Sequence, residues 1–495
     1  MTLVVTALAK GAAFLPGYSI DDYHLVLQDT RPELALSQGR FGQSALLYIL
    51  SLLDLEAHNA RIFFVAFAIL ISALLATRVV RFWNLGEAGW FPAAAAAIVS
   101  IHPFTTEIFT FRTALGITMC ALALLAPLLV PRRWTLAGMA VGAFQFALAL
   151  SIYQMVLPYC VMIVLMGTAV GLARVLAVGS ASGWPPRVTA LLSWRKLLRN
   201  RNATLLACAA LGTTLYMLVN ALAVRLLHVT LDERFGFLSR DLIGERARAV
   251  WRVLVYRFLG PSPLLSQFSK WLLLLLFFAA LAGLLLRARP WLLQRQSALL
   301  LPAVVALLAA AVVWTLGIAM VPPIFWPVPR VMSHVGVFWA GLLAISYRCF
   351  GRPARRFLAL LSLLIVLSFI GSSNHILNDQ LRLNTRDAAK ASRIIARLEA
   401  LPGFSGTESV AVNRTSPNYP LGFGTNDMDM NLSAFSADWA KVSILREISG
   451  YDLKAAKDQV QKDAAAAYCR EVKPWPGPQS VTLRDGLAIV CLGSG

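Results

Sequence analysis

Charged side chains are scarce in this chain. They make up 14% of its 495 residues, while 58% are hydrophobic and the mean hydropathy is +0.66. Soluble domains average roughly 25% charged and 45–50% apolar residues, so an integral membrane protein is expected. Acids are rarer still, with 25 Asp and Glu against 45 Lys and Arg. In a membrane protein basic residues first serve topology, and no nucleic-acid partner is read from the excess. Histidine and cysteine number six each, without a cluster at metal-ligand spacing. A glycine-rich phosphate loop and a dinucleotide fingerprint are both missing. Nucleotide-sugar and ATP chemistry are therefore unsupported; no cofactor is implied, and a divalent metal stays open. A basic leader with a small-residue cleavage site is also lacking, so no cleavable signal peptide is expected.

What the chain does have is apolar runs of bilayer length, about 20 residues each. They lie near 60–80, 89–108, 112–130, 134–151, 155–174, 203–225, 267–286, 298–320, 331–347 and 357–372. With residues 1–17, short and interrupted by Lys10, about eleven transmembrane helices are expected. Arginines and lysines gather on alternate loops: Arg78 and Arg81; Arg132 and Arg133; Arg174, Arg187, Arg195, Lys196, Arg199 and Arg201; Arg287, Arg289 and Arg295; Arg348, Arg352, Arg355 and Arg356. The one acid among them is Glu87. Short loops this biased are cytoplasmic, which places segment 18–58 and everything after about 372 outside. The expected organisation is a transmembrane domain over 1–373 and a small α/β domain over 374–495.

The outer segment promises a helix from Ala391 to Leu401, a strand at Ser409–Val412 and a helix near 454–469. A closing hairpin turns at Arg484-Asp485-Gly486. Cys469 and Cys491 are the only cysteines there, and an oxidising compartment favours bridging them.

Polar groups collect at the outer span ends. Asp21 and Asp22 are adjacent carboxylates at a membrane boundary, a costly placement that marks a functional site. Either one is also suited to cap a helix starting near Tyr23. Glu107 and Arg112 flank the third and fourth spans, Tyr153-Gln154 joins the fifth and sixth, and Arg330 follows a Trp/Pro-rich loop at 322–329 with His334 a turn later. Arg257 ends a basic stretch in the long loop 226–266, and residues 42–55 read as an interfacial amphipathic helix. This set fits glycosyl transfer. A carboxylate (Asp22, or else Asp21, with Glu107 a third candidate) takes the acceptor's proton. Arg40, Arg112, Arg257 and Arg330 hold a phosphate leaving group, while Tyr153, Gln154, Tyr23 and His334 position sugar or acceptor.

Asp21-Asp22, Ser37-Gln38-Gly39-Arg40, Pro103-Phe104 with Glu107, Ser151-Ile152-Tyr153-Gln154 and Asn384-Thr385-Arg386-Asp387 resemble the Gtr-type glucosyltransferases of bacterial serotype conversion. The resemblance runs in order along nearly the whole chain. It implies a polytopic GT-C fold in the bacterial inner membrane, with a periplasmic active site. The implied reaction moves a sugar from undecaprenyl phosphate to a glycan such as O-antigen, inverting the anomeric carbon. Two rivals stand beside it: a transporter or flippase for a lipid-linked glycan, disfavoured because no internal repeat is visible, and an O-antigen ligase or polymerase.

Overall fold

A computed structural model describes residues 1–27, 32–53, 60–86, 89–130, 135–182, 201–232, 238–260, 262–292, 300–417 and 419–493. Glu87, Arg132, Arg133, Arg187, Arg195, Lys196, Arg199, Arg234 and Arg295 lie outside these residues. The protein is mostly helical, and its chain divides into two compact units. One comprises Met1–Gly11, Arg31–Phe109 and Ala114–Asn374; the other comprises Ala12–Thr30, Thr110–Thr113 and His375–Gly495.

Among the described residues six helices are long and apolar enough to cross a membrane: Arg61–Phe82, Arg112–Leu129, Val156–Ala177, Arg201–Leu226, Gln267–Arg289 and Arg352–Glu399. Thr2–Phe14, Phe41–Leu52, Trp90–Ile101, Leu136–Ile152, Leu301–Trp314 and Val335–Cys349 are apolar but shorter. Phe63, Phe144, Leu218, Phe278 and Leu363 point outward and are more than half exposed, a surface that water would penalise and lipid would not.

Within the first unit, Val335–Cys349 is the central helix. It packs against Trp90–Ile101, Val156–Ser182 and Gln267–Leu292, and nearly all of its side chains are buried. Small residues permit that approach: a Cβ on Gly336 would lie 2.9 Å from the Val99 carbonyl, and one on Gly341 2.5 Å from Met166. Lys10, expected to interrupt the first span, is fully buried instead. Its ammonium donates to Thr106 Oγ1 at 2.5 Å and Ser373 Oγ at 3.2 Å, so hydroxyl oxygens replace water around the charge.

The second unit holds a four-stranded mixed sheet in the order β2-β1-β4-β3, with β1 Ser409–Asn413, β2 Lys454–Ala455, β3 Val481–Arg484 and β4 Leu487–Cys491. β1 runs parallel to β2 and β4, and β3–β4 is the expected hairpin. Asp485 and Gly486 have φ of 48° and 73°, as a two-residue type I′ turn demands. Alternation along β4 divides its side chains between two cores. Ala488 and Val490 meet Ile394, Phe435 and Leu445, while Leu487, Ile489 and Cys491 meet Ala465 and Tyr468. The helix expected near 454–469 spans Gln459–Glu471, capped by Asp458 accepting from the Val460 amide at 3.0 Å. Residues 454–455 instead pair with β1.

Arg352–Glu399 is one unbroken helix of 48 residues, about 72 Å at 1.5 Å per residue. Its apolar pattern alone promises a span near 357–372 and a separate helix from Ala391 to Leu401. No Gly or Pro stands between 372 and 399, and Ile376, Leu377 and Leu383 keep buried faces across the interval.

Cys469 and Cys491 are joined by a disulfide, with their Cα atoms 5.2 Å apart. It ties the Gln459–Glu471 helix to the central strand of the sheet. Cys469→Ser is expected to cost about 2–5 kcal/mol, read as a lower melting temperature that reductant does not lower further. An unchanged melt would show that the packing alone suffices.

Candidate functional site

Asp21 and Asp22 open the helix Ile20–Leu27, yet their environments differ. Asp22 is fully buried. Its Oδ2 accepts from the Ser19 amide at 2.7 Å, and Ser19 Oγ accepts from the Asp22 amide at 3.2 Å. This is a reciprocal capping box. The same carboxylate reaches across the chain. Oδ2 accepts from the Arg112 amide at 3.1 Å, and Oδ1 accepts from the Thr113 amide at 2.9 Å and Thr113 Oγ1 at 2.8 Å. Asp22 therefore caps two helix starts with one side chain and has four donors on its two oxygens. Asp21, one residue earlier and 100° around the helix, is only half-buried.

Other members of the second unit hold this segment in place. Asn384 pairs with the main chain of Tyr18 in both directions: its Oδ1 accepts from the Tyr18 amide at 2.8 Å, and its Nδ2 donates to the Tyr18 carbonyl at 2.9 Å. Gln380 donates to the Thr110 carbonyl at 3.0 Å. The Arg112 guanidinium, 6% exposed, donates to the carbonyls of Ala13 and Leu15. Gly17 lies beneath them, where a Cβ would come within 3.4 Å of Asn384, Arg112 and Gln380. The Asn384–Asp387 motif thus acts as a brace: Asp387, also buried, accepts from Ser433 Oγ and the Ala434 amide at 2.8 and 2.7 Å. Tyr23 sits in the hydrophobic core with Ile394 and Phe435 and is 4% exposed. Burial, and next the charge of Asp387, pushes its phenol pKa upward.

The first unit assembles a separate polar group from motifs far apart in sequence. Gly39, at φ 66°, turns the chain so that Arg40 precedes the helix Phe41–Leu52. Arg40 Nε donates to Gln154 Oε1 at 3.1 Å, and its guanidinium lies 4.8 Å from the centre of the Tyr153 ring. Gln154 Nε2 donates to the Gln38 carbonyl and to the Tyr216 hydroxyl, which itself donates to the Gly39 carbonyl. A Cβ on Gly42 would fall 2.2 Å from Ser151 Oγ, so glycine there lets the two motifs meet. Tyr216 escapes sequence reading because a lone tyrosine within an apolar span carries no motif.

A third group forms where the span before Glu107 breaks. Pro103 interrupts the helix, and His102 Nδ1 caps the short turn that follows by accepting from the Phe104 amide at 3.2 Å. The break turns Glu107 inward, with no exposed surface. Its carboxylate accepts from the Arg330 amide and, at 2.6 Å, from the Arg330 guanidinium. Arg257 is 3% exposed, lies 5.6 Å from the Phe104 ring centre, donates to the Pro327 carbonyl at 3.4 Å and is attracted by Glu107. Arg246 donates to the carbonyls of Met320 and Pro323, fixing the Trp/Pro-rich loop. His334 is buried, with Nε2 2.8 Å from the Trp314 carbonyl oxygen and its ring edge-on to Tyr159. No group of metal-ligating side chains forms among the described residues.

Glu107→Gln keeps the shape and removes the charge opposite Arg330. The expected cost is about 1–3 kcal/mol, seen as a lowered melt. A wild-type melt would show the pair to be idle.

These features define a multi-pass helical membrane protein with a buried glutamate paired to an arginine where one span breaks. Residues 13–343 match the family described as Glucosyl transferase GtrII. The chain belongs to that family, and it is a glycosyltransferase. No curated protein and no solved structure matches it significantly.

Proposed function

We propose that this glucosyltransferase takes glucose from undecaprenyl phosphate and places it on a periplasmic glycan such as O-antigen, inverting the anomeric carbon. The proposed setting is a GT-C-like bundle of about eleven spans over residues 1–373 in the bacterial inner membrane. Residues 374–495 form its periplasmic domain. The alternating basic loops support that orientation.

The observation that carries the chemistry is the unequal environment of the two aspartates. Asp22 has four donors on its oxygens, so its lone pairs are committed to holding two helix starts and are not presented to an acceptor. Asp21 keeps solvent access and is the better candidate for the base. It removes the acceptor hydroxyl proton while the oxygen attacks the anomeric carbon and the phosphate departs. Arg257 and Arg330 support phosphate binding, while Arg40, Tyr153 and Gln154 support sugar recognition. Arg112 and Tyr23 are better read as brace and core, and His334 and Glu107 as positioning groups.

Purified protein in nanodiscs, offered labelled undecaprenyl-phosphate glucose and acceptor glycan, should release undecaprenyl phosphate and label the glycan. Transfer from a nucleotide sugar alone would overturn the donor assignment. Activity only with a lipid diphosphate glycan would favour a ligase or polymerase.

A further inference from the structure

Lys270 lies in the first turn of the helix Gln267–Leu292, whose start is capped by Ser266 Oγ accepting from the Ser269 amide at 3.1 Å. Three features make its position costly. Its side chain is 3% exposed and Nζ has no hydrogen-bond partner. Among the described residues, the charge that acts on it is the like charge of Arg257. The helix end beside it also carries the positive pole of the macrodipole. A buried ammonium without acceptors is strongly unfavourable in general, and an anion brought to it relieves all three costs.

We propose that Lys270 binds the phosphate of the lipid carrier and acts chiefly on the product side of the transfer. This rests on the donor reading above. In the reaction the acceptor oxygen–carbon bond forms and the anomeric carbon–phosphate oxygen bond breaks. The electron pair stays on phosphate, and the acceptor proton goes to a carboxylate base. The donor is a phosphodiester with one negative charge, whereas the released monoester carries about −1.5 to −2 at pH 7. The charge that develops during bond cleavage is what an ammonium with unused donors stabilises, and stabilisation that grows toward the transition state raises kcat rather than ground-state affinity.

The test uses the full chain in nanodiscs: wild type, Lys270→Met, Lys270→Gln and Lys270→Arg, each checked for monodispersity and melting. Removing the charge should lower kcat by about 10²-fold, the scale of losing one preorganised donor, with the donor Michaelis constant changing far less. Inhibition by added undecaprenyl phosphate should weaken in parallel, and Lys270→Arg should recover part of both. Phosphatidylglycerol, a diester, and inorganic phosphate serve as competing anions. Selective inhibition of the wild type by undecaprenyl phosphate supports the assignment; equal inhibition by phosphatidylglycerol or inorganic phosphate overturns it. Unchanged kcat and product inhibition in a folded Met or Gln variant, with the wild type active, also overturns it. A wild type that ignores the lipid-linked donor instead removes the functional reading beneath.

Discussion

Asp21→Asn should lower kcat by at least about 10²-fold, the usual contribution of a general base, with the protein still folded. The substitution retains size and one acceptor oxygen but cannot take up a proton. Because Asp21 is half-buried while its neighbour carries the capping bonds, stability should fall less than in the Asp22 variants. The measurement is initial transfer rate against thermal stability for the same preparation. Near-normal turnover in a folded Asp21→Asn protein would remove Asp21 from the chemistry.

Asp22→Ala should behave in the opposite way. Four donors lose their acceptor at once: the amides of Ser19, Arg112 and Thr113 and the Thr113 hydroxyl. Losing a cap costs about 0.5–2 kcal/mol, and leaving a buried donor unsatisfied about 1–3 kcal/mol. With two helix starts affected, a loss of about 3 kcal/mol or more is expected. Asp22→Asn, retaining one acceptor oxygen, should fall between alanine and wild type. Activity should track the folded fraction. If Asp22→Asn melts like wild type yet is inactive, the base is Asp22 and the division of labour is reversed.

Much of the helical framework was readable because long apolar runs leave a chain in lipid few alternatives to helix. The terminal hairpin was readable because Asp-Gly names its own turn. Contacts made across the sequence were not. Nothing local to Asp22 announces that Arg112 and Thr113, some ninety residues later, use its oxygens. Nor does Tyr23 signal that Ile394 and Phe435 enclose it. Lys10 looked like a break in a span because sequence reports the cost of a charge but not the hydroxyls of Thr106 and Ser373 that meet it. The motif containing Arg40 and the one containing Gln154 were each visible alone. Their junction, and the part of Tyr216 in it, came from packing.

That junction also constrains how the chain can drift. At position 42 even one added carbon would fall inside the hydroxyl of residue 151, so neither site can change freely while the other keeps its present side chain. A descendant with alanine at 42 would need a residue without a side-chain hydroxyl at 151, or a displaced helix Phe41–Leu52 and with it a displaced Arg40. The two positions are best treated as one inherited character.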